Sequence, residues 1–222
     1  MKDRPPVLAH QRFEQSKAEF DGLALDQVFA KIHATNLWGS PDSASGLGSE
    51  LQSTARLREQ LPELLRELEI KTLLDIPCGD FHWLSQVALP VERYIGADIV
   101  EGVVQANCKE YGREFEKLDL CTDPLPKADL VLCRDCLVHL SNANIQRAVA
   151  NLKASQSQWL LTTHFFDCPA NVDIDNGDWR MLNFELPPFL WPPPQRVLVE
   201  GCAESGGGYG DKVLALWPVA AL

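Results

Sequence analysis

The chain has 222 residues, with 20 Lys and Arg against 31 Asp and Glu, so its formal net charge is −11 and its sequence pI is near 4.9. That length can fill one sizeable core, while so acidic a chain without any run of cations is unsuited to neutralising a row of phosphates, which excludes nucleic acid and anionic membrane surfaces as expected partners. No stretch approaches the roughly 18 uninterrupted apolar residues of a spanning helix, and residues 1–17 hold no apolar export core, so a cytoplasmic location is expected, with the seven cysteines reduced.

Residues 1–20 are polar and mixed, and Pro5 and Pro6 argue against an early helix. Leu23, Leu25, Val28, Phe29 and Ile32 fall at helical spacing over 21–34, and residues 37–49 (LWGSPDSASGLGS) form a Gly/Ser loop carrying Trp38. Apolar positions from Leu51 to Leu68 predict an amphipathic helix over 50–69, kinked near Pro62. The pattern then changes to short apolar runs, read as strands over 71–77, 93–99, 113–120, 128–133 and 158–165, alternating with helical patterns over 80–88, 99–111 and 141–154. Such alternation predicts parallel strands joined by right-handed crossovers. Residues 165–194 break the pattern, with Pro187, Pro188, Pro192, Pro193 and Pro194 unable to serve a regular ladder and several aromatics among them, as a long functional loop does. Runs over 196–202 and 211–219, either side of a glycine-rich link, predict a terminal antiparallel hairpin.

The expected fold is therefore α/β: one domain with a Rossmann-like, doubly wound, seven-stranded sheet, mostly parallel, closed by that hairpin. Within it, 1–68 form an N-terminal helical or lid segment, 69–163 the binding core, 164–194 an acceptor-side insertion and 195–222 the hairpin.

Open α/β sheets bind ligands beyond the carboxyl ends of their strands. There the first strand reads LLDIPCGDFHW, with Asp75 in the strand, Gly79 in the turn and Asp80 after it. Neither a phosphate-cradling G-x-x-x-x-G-K-[ST] nor a dinucleotide G-x-G-x-x-G is present. Acids at this turn suit a cationic or hydroxyl-rich ligand. Asp98, twenty-three residues after Asp75, can accept both hydroxyls of a ribose, and Asp119 in KLDLCTD is placed to meet an adenine amino group. An adenosine without phosphates fits this set, and the acids would tolerate a sulfonium.

LDIPCGD, YIGADI, LDL and ADLVLCRDCLVHL, followed by a fifth strand and a hairpin, resemble the class I S-adenosylmethionine-dependent methyltransferase family through residues 69–164. The resemblance implies S-adenosyl-L-methionine as cofactor. It assigns Asp75, Cys78 and Gly79 to the methionine moiety, Asp98 to the ribose with Ile99 beside the adenine, and Asp119 and Leu120 to the adenine. Pro77 and Phe81 depart from the family's outer glycine positions. A segment like W-G-S…S-G-x-G-S over 38–49 and another like N-x-D-I…G-x-W-R over 171–180 resemble a narrower bacterial subgroup of unknown substrate.

Residues just past the fourth strand line the substrate side in this family, which makes Arg134, Asp135 and His139 candidates for orienting or deprotonating an acceptor, with Arg134 also reaching the cofactor. The plainer alternatives are a helix-capping His139 and an Asp135–Arg134 ion pair. Cys133 and Cys136 form a C-x-x-C, but the other Cys and His residues are scattered singly and the motif does not open a helix after the first strand, so plain thiols are expected. No metal is expected, although His164 and Asp167 could join Asp135. Trp38, His164, Trp179, Arg180 and Asn183 are candidate acceptor-pocket residues; the alternative is that the aromatics seal the core. Arg56 or Arg58 could meet the cofactor's carboxylate or be solvated.

The implied activity is methyl transfer to a small polar acceptor, a sugar hydroxyl among the candidates. The alternative is a catalytically silent methyltransferase-like subunit that binds S-adenosylmethionine or S-adenosylhomocysteine as a regulatory ligand. A nicotinamide oxidoreductase lacks its glycine fingerprint.

Overall fold

The computed structural model describes residues 4–202 and 204–222. Its seven strands are β1 (Thr72–Asp75), β2 (Arg93–Asp98), β3 (Glu114–Lys117), β4 (Leu130–Cys133), β5 (Trp159–Phe165), β6 (Arg196–Val199) and β7 (Lys212–Pro218), in the order β3-β2-β1-β4-β5-β7-β6. The interior strands carry apolar side chains on both faces: Leu73, Leu74, Val131, Leu132, Leu160 and Leu161 are all fully buried, as a sheet covered on both sides requires. β1 to β5 pair in parallel. β7 runs antiparallel between β5 and β6, in register from Trp159↔Pro218 to Phe165↔Lys212.

Among the described residues six α-helices accompany the sheet: α1 (Leu8–Ser16), α2 (Leu25–Ala34), α3 (Ala55–Glu67), α4 (Glu101–Tyr111), α5 (Asn142–Ala154) and the single turn α6 (Glu204–Gly207). α3 buries Leu57, Leu61, Leu64 and Leu65 against Leu73, Leu130 and Leu132 on one face. On the other, Ile145, Ala148 and Leu152 of α5 join Leu74, Val131 and Trp217, so the sheet is doubly wound. Pro62 lies inside α3 without ending it, because the buried leucine stripe holds both halves to the sheet. Residues 166–195 contain no regular element and cover the second face with Leu182, Phe184 and Trp191; Phe184 stacks on Trp191 at 4.1 Å between ring centroids.

Two expectations fail locally. α1 exists: Pro5 and Pro6 precede its N-cap, Val7, where a fixed φ obstructs nothing downstream. Its Phe13 stacks on Phe20 at 4.9 Å and shares a small separate core with Val28, Ile32 and Leu37. The helix expected over 80–88 is only a short 3-10 turn, Leu84–Gln86. Phe81 interrupts it with a left-handed backbone (φ 55°), the conformation a glycine favours. Its ring is held by Tyr94, Tyr111 and Phe115 at 5.0–5.4 Å. Among the described residues no helix is long and apolar enough to cross a membrane, and all seven cysteines are free thiols.

Candidate functional site

β1 and β4 are neighbours whose connections diverge, which opens a crevice at their carboxyl ends. Asp75, Cys78, Gly79, Asp98, Ile99, Asp119, Leu120, Arg134, Asp135, His139 and Trp38 all line this one cleft. The sequence scatters them over a hundred positions; parallel strand pairing brings their ends to one edge.

Asp75 is buried at the end of β1 and accepts a hydrogen bond from the Tyr94 hydroxyl at 2.8 Å. Burial, reinforced by the charge of Asp98, raises its pKa to about 7. Gly79 has φ 54°, and a Cβ there would stand 2.1 Å from Ser45 Oγ, so the turn closes only on bare backbone. The Gly79 and Val100 N–H groups donate to the two oxygens of Asp98 at 3.1 and 2.9 Å, orienting a carboxylate whose pKa burial raises. Asn107 of α4 donates to the Gly79 carbonyl at 2.7 Å. Asp119 accepts from the Cys121 N–H at 2.7 Å and the Thr122 hydroxyl at 2.9 Å. Each Asp98 or Asp119 oxygen retains lone-pair capacity for a ligand hydroxyl or amine.

Asp80, read from sequence as part of the acidic turn, serves another purpose. Its carboxylate accepts from Ser43 Oγ, the Ala44 N–H and Ser45 Oγ at 2.8, 2.9 and 3.1 Å, and its own N–H donates to Ser45 Oγ at 2.9 Å. It latches loop 40–49 over the first-strand turn.

Arg134 and Asp135 belong to a buried quartet of charges completed by the terminal hairpin. Arg134 Nη2 donates to Glu200 Oε2 at 2.7 Å, Lys212 Nζ donates to Asp135 Oδ2 at 2.7 Å, and Arg134 Nη1 stands 3.3 Å from Asp135. Thr163 Oγ1 donates to Asp135 Oδ1 at 3.0 Å. Burial alone would raise the Asp135 pKa, but Arg134 and Lys212 together hold it well below the usual carboxylate range. It is a fixed anion and a poor proton acceptor. Glu200 and Lys212 were missed in the sequence, although a lone acid and a lone lysine bordering apolar strands were the same signal that singled out Asp135.

His139 is buried, with Nδ1 2.7 Å from the Asp178 carbonyl. A carbonyl only accepts, so Nδ1 carries the proton and Nε2 presents a lone pair. Burial lowers the pKa to about 4, which leaves the ring neutral at pH 7. The Trp38 ring packs over it at 4.8 Å.

Trp38, Ser45, Asp135 and His139 also line a second chamber, bounded by Val7, Leu8 and Ala9, by Leu47, and by Phe165, Trp179 and Tyr209. Trp179 meets Phe165 and Tyr209 edge-on at 6.0 and 5.3 Å. The Gly/Ser loop and the long proline-containing segment thus reach the ligand edge through Trp38, residues 44–49 and Trp179.

Three expected pocket residues lie elsewhere. His164 is wholly buried among Phe166, Phe184 and Trp217 at 4.5–6.2 Å and lines neither chamber, because strand alternation turns it to the face the insertion covers. Arg180 is buried with its guanidinium on the Leu137 and Val138 carbonyls and on Asn142 Oδ1. Asn183 bonds the Phe166 carbonyl and the Glu185 N–H. Arg180 fastens the insertion to the domain, and Asn183 ties the insertion to itself. Arg58 donates to the Leu51 carbonyl at 3.0 Å and Arg56 lies against Gly201, so neither faces the cleft.

No protein-family model matches the chain, and neither does any curated protein. Solved structures do. The N-methyltransferase NodS from Bradyrhizobium japonicum WM9 superposes with TM-score 0.53 at 13% identity, over 77% of this chain and 98% of that one. The methyltransferase domain of bacterial CtHen1-C gives TM-score 0.45 at 14% identity, over 52% of this chain and 66% of its own, so this chain spans just under two thirds of that relative. The sugar N-methyltransferase KedS8 from Streptoalloteichus sp ATCC 53650 gives 0.44 at 19%, over 59% and 55%. The fold is that of the class I S-adenosylmethionine-dependent methyltransferases, an assignment carried by the likeness to NodS and by the strand order.

Proposed function

We propose that the chain is an S-adenosylmethionine-dependent methyltransferase acting on a small polar acceptor, with a sugar hydroxyl the first candidate. The observation that carries the reading is the meeting of Asp75, Asp98 and Asp119 in one cleft, beneath a turn at Gly79 that admits no side chain. That donor set fits the cofactor: Asp98 and Asp119 offer carboxylate oxygens to a ribose and an adenine amino group, Ile99 and Leu120 offer apolar flanks, and Asp75 supports the turn facing the methionine moiety. When bound, the cofactor supplies a methyl group on a positively charged sulfur, open to in-line displacement.

In this reading the second chamber takes the acceptor. Its aromatic walls suit the C–H face of a ring, and His139 Nε2 can accept a proton or hydrogen bond from the attacking group while the Asp178 carbonyl holds the imidazole in that tautomer. Because NodS is an N-methyltransferase, amines join hydroxyls in the acceptor screen. The silent-subunit alternative draws on Asp135, whose carboxylate is taken up by Lys212, Arg134 and Thr163.

Titration calorimetry with S-adenosylmethionine and S-adenosylhomocysteine tests the cofactor site. Micromolar binding, abolished in a folded Asp98→Ala variant, is expected; no binding of either ligand overturns the proposal. Methyl transfer to none of a panel of sugars and amines, despite binding, favours the silent subunit.

A further inference from the structure

We propose that His10, Glu14 and Asp178 hold a first-row divalent metal ion, zinc the best match, at a site outside both chambers. His10 and Glu14 are four residues apart on α1 and so share a face. The turn at 175–180 brings Asp178 against them, and one nitrogen and two carboxylate oxygens from the three side chains lie within 4.8 Å of one another. Ligands of a tetrahedral zinc ion stand roughly 3.5 Å apart, so the His10 nitrogen and Asp178 oxygen, hydrogen-bonded at 2.7 Å, would part slightly while any wider pair closes by up to about 1 Å, shifts that the more exposed His10 and Glu14 can supply by rotation.

Asp178 is the buried member of the set. Its side chain is only 8% exposed, and Oδ1 takes the His10 ring nitrogen and the Trp179 N–H, both at 2.7 Å. Nearby cations are committed elsewhere: Lys17 lies 3.7 Å from Glu14 but 2.8 Å from Asp175, and the Arg180 guanidinium bonds main-chain carbonyls and Asn142. A divalent ion joining the His10–Asp178 contact would offset two carboxylates at once, more charge than one imidazolium can carry. One imidazole and two carboxylates suit zinc; calcium wants six or more oxygens and magnesium avoids imidazole.

The ion would tie α1, whose Leu8 and Ala9 line the second chamber, to Asp178, whose main-chain carbonyl orients His139. It is a brace on that chamber's wall. The sequence reading expected no metal because positions 10, 14 and 178 meet only through the fold.

The test is calorimetric titration of the chelator-treated full chain with zinc chloride. One ion per chain at micromolar affinity is expected, weakened about tenfold or more by His10→Ala and by Glu14→Gln, in variants whose metal-free melting temperature is unchanged. Because the free cysteines could also capture zinc, the cobalt(II) spectrum is recorded alongside, and nitrogen and oxygen ligation should show visible bands without thiolate charge transfer. Affinity unmoved by both substitutions, a thiolate band, or no binding at submillimolar zinc each overturns the site.

Discussion

At the residue scale, Asp75 and His139 oppose each other in their response to pH. Between about pH 4 and 6.5 the folded chain keeps a proton on Asp75, whose pKa is near 7, and none on His139, whose pKa is near 4; the unfolded chain does the reverse. His139 therefore lends stability that is present above its unfolded pKa and lost as pH falls toward 4. Asp75 imposes a penalty that is full above pH 7 and relieved by acid, each effect on the order of 3 kcal/mol. Asp75→Asn keeps an oxygen for the Tyr94 hydroxyl and removes one of the opposing slopes. Its urea midpoint should climb more steeply with pH over that window than the wild type's, and a parallel profile contradicts the assignment. Of the residues singled out in the sequence that the fold brings to one cleft, Asp75 and Asp98 are acids that end β1 and β2, Asp119 lies two residues past β3, and His139 sits in the short turn after β4. His164 carries the same signal and misleads, because the side of the strand on which it falls is decided by which face the insertion covers.

The scale of elements is where the loops matter. A single carboxylate, Asp80, binds three donors of loop 40–49, and hydrogen bonds to a charged group are worth about 1.5–3 kcal/mol each when a partner is deleted. Asp80→Ala should therefore raise the amide hydrogen-exchange rates of residues 43–46 by an order of magnitude or more and weaken S-adenosylhomocysteine binding about tenfold. Unchanged exchange there would show that the loop is held by other contacts, such as Ser40 Oγ on Glu50 at 2.8 Å. The strands were legible because the interior runs hold consecutive apolar residues such as Leu73–Leu74, Leu130–Leu132 and Leu160–Leu161, a pattern a half-exposed strand does not show. The region after β1 was not, since Phe81 takes a backbone conformation that its side chain gives no reason to expect until the rings of Tyr94, Tyr111 and Phe115 surround it.

For the molecule as a whole, the terminal hairpin does more than extend the sheet. Glu200 and Lys212 carry its two contributions to the charge quartet, and removing one partner of a buried pair typically costs about 3–5 kcal/mol. Lys212→Met should lose about that much stability in urea denaturation, and adding Asp135→Asn should restore part of it by removing the stranded anion. A double variant no more stable than the single one would show that Asp135 does not depend on Lys212. β7 also follows β5 and β6 in the chain, yet it sits between them. Until β7 has been made, β6 has no neighbour, the flank of β5 lies open, and Asp135 lacks its ammonium partner. Completing the sheet is thus a strand threading into a gap, and only then does the chamber wall acquire its balanced charges: the nascent sheet stays edge-exposed on both sides of that gap until the strand between them arrives.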